Sequence, residues 1–157
     1  MDGSGHPGRA LKLDDYLPYR LSVAANAVSE LIARAYKARF GITIPQWRLI
    51  AVLGEDGPST QAHLCARTVM DKVTVSRAAA ALVDRGLVSR APNRDDGRSH
   101  RLGLTAAGAA LYAEVAPLAL AYEAELLESF SGPELAAAQD LLRRLECAAY
   151  ALTSVRD

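Results

Sequence analysis

The chain carries two cysteines, one tryptophan and two phenylalanines in 157 residues, and its scarcities close several routes. Cys65 and Cys147 are too few for a disulfide framework. His6, His63 and His100 have no metal-ligand spacing with the cysteines or carboxylates, so no metal site is expected. No run of 18 apolar residues occurs, so no helix is expected to span a bilayer. The opening MDGSGHPGRALK lacks the apolar core of a signal peptide, which points to the cytoplasm. A glycine-rich phosphate loop and a nucleophile elbow are both missing. Asp95 and Asp96 are neighbours in a turn and read as turn formers, not as a spaced acid–base pair. No catalytic residue, cofactor or metal ligand emerges, and an enzyme is not the expected reading.

What remains is an ordinary globular composition, half apolar and 23% charged, long enough for one domain with its own core. The formal net charge is zero, but the charge is not evenly spread. Residues 67–101 hold eight cations against four acids, a local excess of four. Residues 105–157 hold three cations against eight acids, a local deficit of five. A phosphate-binding face needs such a local bias, whatever the total.

The periodicity predicts a mainly α chain. Residues 1–13 read as a flexible N-terminal arm. Leu17, Leu21, Ala24, Val28, Leu31 and Ala35 form a helical stripe, with Asp14 or Asp15 as its cap and Gly41 at its end. Pro45 opens a second helix that stops near Gly57 and Pro58. Ser59 or Thr60 caps a short helix to about Arg67. Asp71 caps the next, which runs to Arg85 with Gly86 in the left-handed position beyond it. LVSRAP and RLGLT read as two strands joined by NRDDG. Thr105 caps a long helix to about Phe130, which Pro117 should bend. Ser131 and Glu134 form a capping box for the last helix. Leu111, Leu118, Tyr122, Leu126, Leu141, Leu142, Leu145 and Ala149 are more apolar surface than one small lobe can cover, and a homodimer is the simplest way to bury it.

Met70 to Arg101 is the most informative stretch. At 100° per residue, Val75, Ala78, Ala79 and Leu82 share one face of the helix and form its buried stripe. Val73, Arg77 and Ala80 lie opposite, flanked by Lys72, Thr74 and Ser76. Small and polar residues there allow close approach to base edges. An arginine can read guanine with two hydrogen bonds, and a valine can touch a thymine methyl. Arg94 and Arg98 sit at the hairpin tip, where a narrow minor groove attracts arginine. Asp96 and Arg98 are expected to pair and stiffen the turn.

DKVTVSR, then LVDRGLVSR, then D-x-R at Asp96–Arg98, then LT-x-x-G at Leu104–Gly108 resemble the MarR family of bacterial winged-helix regulators. QWRLIAVL at 46–53 and the SGPEL start of the last helix also match. The resemblance covers roughly residues 13–152. It implies a winged helix-turn-helix lobe over 45–105, with N- and C-terminal helices 16–40 and 106–155 forming a dimerisation region within a domain of residues 14–157. It further implies a homodimer that straddles a palindromic DNA operator, represses transcription, and is released by a small aromatic or phenolic ligand or by thiol oxidation. The family's DNA-contacting positions fall on Lys72, Val73, Thr74, Ser76 and Arg77, with Arg98 and its neighbour Arg94 on the wing. Its ligand pocket, where the dimer helices meet the lobe, falls on Tyr16, Tyr19, Arg20, Trp47 and Arg48; an arginine between aromatic walls suits an aromatic carboxylate.

Two alternatives stand beside this reading. One is redox sensing through Cys65 or Cys147, although both are expected in apolar surroundings that keep a thiol inert. The other is a winged helix used as a protein-interaction or scaffolding module. Arginine density on the exposed helix face favours DNA, because protein-binding cores lose charge whereas DNA faces gain it.

Overall fold

The computed structural model describes residues 10–154; most of the N-terminal arm, residues 1–9, lies outside them. The chain divides into two compact units, one ending at Pro117 and the other beginning at Leu118. Among the described residues no helix is long and apolar enough to cross a membrane, and no group of three His, Cys, Asp or Glu is placed to hold a metal ion.

The first unit opens with a single 3₁₀ turn, Leu13–Asp15, followed by α1 (Leu17–Phe40). Asp14 and Asp15 do not cap α1, contrary to the sequence expectation. They are spent in the 3₁₀ turn, and Tyr16 stands at the N-cap with no side-chain bond. Pro18 supports this entry, since a first-turn residue needs no N–H donor. Gly41 ends α1 at φ 62°, as expected.

Helix α2 (Ile44–Asp56) starts one residue earlier than its proline suggests. Thr43 caps it through a reciprocal box in which the Gln46 N–H donates to Thr43 Oγ1 and the Thr43 N–H donates to Gln46 Oε1. Thr60 caps α3 (Gln61–Thr68), and Asp71 caps α4 (Lys72–Asp84). Beyond α4 the Gly86 N–H donates to Val83 O and the Leu87 N–H to Leu82 O. This Schellman closure needs the positive φ of 68° at Gly86.

The sheet has three strands where the sequence suggests two. Strands β2 (Val88–Pro92) and β3 (His100–Leu104) form the hairpin, in antiparallel register from Val88↔Leu104 to Pro92↔His100. A two-residue strand β1 (Ser59–Thr60) pairs with the other edge of β3, giving the order β1-β3-β2. Two residues are too short to show alternation, and both also read as helix caps. The core lies between α2, α3, α4 and the hairpin base: Leu49, Ile50, Leu53, Leu64, Val75, Ala79, Leu82, Val88 and Leu102 are all buried there. The expected stripe of α4 is thus its buried face.

Helix α5 (Ala106–Leu126) begins on the hairpin base. The Thr105 hydroxyl donates to Gly86 O and accepts from the Gly108 N–H. A Cβ at Gly108 would stand 1.9 Å from Leu87 O, so only glycine lets the helix lie this close. The helix continues through Pro117, but ends at Leu126 and not near Phe130. Residues 127–129 form a turn, leaving Ser131 free to begin the next cap. The second unit is completed by α6 (Gly132–Ser154), whose Ser131–Glu134 box is formed as expected. No described residue of α6 is buried, and Leu141, Leu142, Tyr150 and Leu152 are largely exposed.

Candidate nucleic-acid interface

Helix α4 presents to solvent the face opposite its core stripe. Lys72, Val73, Ser76 and Arg77 are exposed, Val73 by 58%. Thr74 is half-buried, and its hydroxyl donates to Asp71 Oδ2 at 2.6 Å while its backbone N–H donates to Oδ1 at 2.8 Å. Its proton is committed to the cap; its oxygen can still accept. These bonds, the hydroxyl first, hold the Asp71 carboxyl below its ordinary value of 3.8.

The wing turn is ordered by its polar residues. The Asn93 N–H donates to Ser99 O, and the Asn93 amide donates to Ser99 Oγ at 2.8 Å. Asp96 accepts from the backbone N–H of Arg98 at 3.1 Å. The expected Asp96–Arg98 pair is therefore made through the main chain, because a carboxylate two residues upstream meets that N–H directly in an Asx-type turn. The Arg98 and Arg94 guanidiniums are exposed and, among the described residues, make no ion pair.

Between α3, the start of α4 and the hairpin lies an open groove of 1010 Å³. Its walls include Gln61, Cys65, Lys72, Arg90, Asn93, Arg98 and His100. The fold thus brings Lys72 of the helix and Arg98 of the wing to one groove, and adds Arg90 and His100, which sequence reasoning passed over. The signal for Arg90 was its place on the same cationic hairpin. Three other cations of this region are exposed but engaged by partners within the chain. Arg67 bonds Asp56 and Glu55, each at 3.0 Å; Arg67 first, and His63 after it, hold the Asp56 carboxyl below its usual range. Arg85 bonds the end of α1, and Arg101 donates to Pro58 O. Among the described residues, Lys72, Arg77, Arg90, Arg94 and Arg98 remain as the exposed cations of this region without an ion pair, charge that phosphate contacts can use.

The ligand candidates fall in two places. Tyr16, Tyr19 and Arg20 are exposed at the start of α1. Trp47 lies edge-on to Tyr36 at 5.5 Å and stacked on Tyr112 at 6.1 Å, with Arg48 exposed beside it. Tyr19 and Tyr36 are 17 residues apart on one helix, about 25 Å at 1.5 Å per residue. One chain therefore does not close both sets around one small molecule. Of the two thiols, one meets the expectation of apolar surroundings in part and the other does not. Cys65 is half-buried, packed against the core on one side and lining the groove on the other, whereas Cys147 is exposed on α6, none of whose described residues is buried.

Comparison with known proteins agrees with this geometry. The MarR family profile matches residues 40–99. The transcriptional repressor NicR of Pseudomonas putida is 29% identical over 141 residues, covering 83% of this chain and 87% of NicR. A probable transcriptional regulator from Pseudomonas aeruginosa is 33% identical with a TM-score of 0.76, over 85% of this chain and 99% of that one. A MarR/EmrR family regulator from Acinetobacter is 26% identical with a TM-score of 0.82, over 88% of this chain and 98% of that one. With a winged helix-turn-helix, an outward cationic face and these relatives, the chain belongs to the MarR family of transcriptional regulators.

Proposed function

We propose that the protein is a homodimeric repressor that binds a palindromic operator and is released by a small aromatic or phenolic acid. The winged lobe, residues 45–105, reads DNA, and α1, α5 and α6 form the dimer. Lys72 holds backbone at the entry of α4, the Thr74 oxygen accepts from a base amino group, Val73 meets a thymine methyl, and Ser76 and Arg77 address base edges in the major groove. Arg94 and Arg98 carry the wing to the neighbouring minor groove. The observation that carries this reading is the set of unpaired cations on α4 and the wing, gathered beside a face of small side chains. For the effector, Trp47 and Arg48 supply an aromatic wall and a cation, and a second copy supplies Tyr16, Tyr19 and Arg20. Ligand binding must favour a lobe spacing that mismatches DNA, since equal affinity for both states shifts nothing.

The test is selection of bound sequences from random duplexes, followed by a salt titration of the winner and repetition with candidate aromatic acids. Two inverted half-sites about one helical turn apart are expected, with affinity falling linearly on a log–log salt plot. Indifference to every duplex at low salt, or a flat salt response, would transfer the outward face to a protein partner.

A further inference from the structure

Arg85 follows the last residue of α4, and its backbone is fixed there. Its N–H donates to Ala81 O, and the Gly86 and Leu87 N–H groups close the helix end behind it. Its side chain leaves the helix altogether. Nη1 donates to Gly41 O at 3.0 Å and Nη2 to Phe40 O at 3.1 Å. These two carbonyls terminate α1, where acceptors lack helical partners and the helix dipole is negative. A cation suits that end. A planar guanidinium with two donors on successive carbonyls also fixes orientation, which a single ammonium does not.

The same last turns of α1 carry Tyr36, which is buried edge-on to Trp47; Trp47 in turn stacks on Tyr112 of α5. A continuous set of contacts therefore runs from the exit of α4, through the Arg85 fork and the end of α1, to the chain's single tryptophan. Bonds to exposed carbonyls add little to a core that already holds α4 through Val75, Ala79 and Leu82. Their distinct consequence is geometric, because they bind the end of one helix to the end of another.

We propose that Arg85 is a positioning residue that makes α4 and the end of α1 move together, so that DNA engagement by α4 is transmitted to Trp47. This rests on the DNA-binding reading above. Arg85 itself touches no DNA in the proposal; it acts through the carbonyls of Phe40 and Gly41.

The test uses the full chain, the selected duplex carrying a fluorescent label, and Trp47 emission as the report from the far end. Label anisotropy measures binding independently of Trp47. In the wild type, saturation with duplex at low salt should shift Trp47 emission. Arg85→Ala should bind about three- to tenfold more weakly and, once saturated, lose more than half of the emission change. Arg85→Lys should fall between, because it restores charge without the fork. Should Arg85→Ala fail to fold by circular dichroism, Arg85→Lys carries the test, and an undiminished response in it overturns the proposal. The proposal also fails if the wild type shows no emission change on binding, or if Arg85→Ala keeps wild-type affinity and response. Those failures leave DNA binding intact. A wild type that binds no duplex removes the DNA reading, and this coupling with it.

Discussion

Val69 holds a left-handed backbone, φ 54°, in the turn between α3 and α4, with its branched side chain 77% exposed. That conformation costs an L-residue about 1–2 kcal/mol, and an exposed side chain recovers little of it through packing. Val69→Gly should therefore stabilise the fold by about 0.5–1 kcal/mol, after glycine's greater freedom in the unfolded chain is subtracted. A higher urea midpoint at unchanged slope checks it; a lower midpoint would show that the valine packs usefully after all. The sequence announces a tight connection at TVM, but valine is among the last residues it would place in a left-handed turn. At Asp71 the reverse holds. The cap is legible because aspartate before an apolar-periodic run is a helix start. What is not legible is that Thr74, an expected DNA contact, gives its hydroxyl proton to that cap. Because Asp71 is held below 3.8 in the folded chain, its contribution is complete above that unfolded value and is lost as pH falls through the lower folded one. Asp71→Ala should lower the melting temperature at neutral pH, and the gap from the wild type should close in strong acid. A gap that persists with the carboxyl protonated would mean that the charge is irrelevant to the cap.

Among elements, the helices are legible almost to their ends, because burial and caps repeat a local pattern. The exceptions are those settled by distant neighbours. Strand β1 exists because β3 offers it a free edge, and Asp14 and Asp15 lose the cap of α1 because the chain turns before Tyr16. The junction of the hairpin with α5 is likewise a matter of contact. Gly108 reads only as part of an LT-x-x-G motif, yet its missing side chain makes room for Leu87 O. Gly108→Ala cannot be absorbed by a side-chain rotation, since the obstacle is backbone, so a cost of at least about 1–3 kcal/mol is expected. Chemical denaturation measures it, and a neutral result would mean that α5 slides on the hairpin base without penalty. The wing itself should behave as an electrostatic element. Arg98→Ala should weaken duplex binding and lower the slope of log affinity against log salt by about one, with little change in selected sequence. An unchanged slope would remove Arg98 from the phosphate contacts.

At the scale of the whole molecule, counting charges locates the cationic region but cannot say which cations are available. Arg67, Arg85 and Arg101 are consumed by internal bonds, and only three-dimensional partners reveal it. The ligand candidates show the same limit: sequence position gathers Tyr19 and Trp47 into one list, whereas the length of α1 holds their surroundings apart. The apolar surplus is legible as well, except at Leu111, which packs against the core of the first unit. Among the described residues every buried side chain lies in the first unit, between Tyr36 and Val115. Helix α6 buries none, yet keeps Leu141, Leu142 and Leu152 along a 23-residue length. A helix with that surface needs a partner, and in the proposed dimer that partner is a second copy. Ending the chain at Phe130 removes this surface and leaves the first unit's core whole. The shortened protein should keep its circular dichroism per remaining helix, sediment as a monomer at concentrations where the full chain is a dimer, and bind a single half-site without preference for inverted pairs. If it still sediments as a dimer, the association resides in α1 or α5, and α6 must have another purpose.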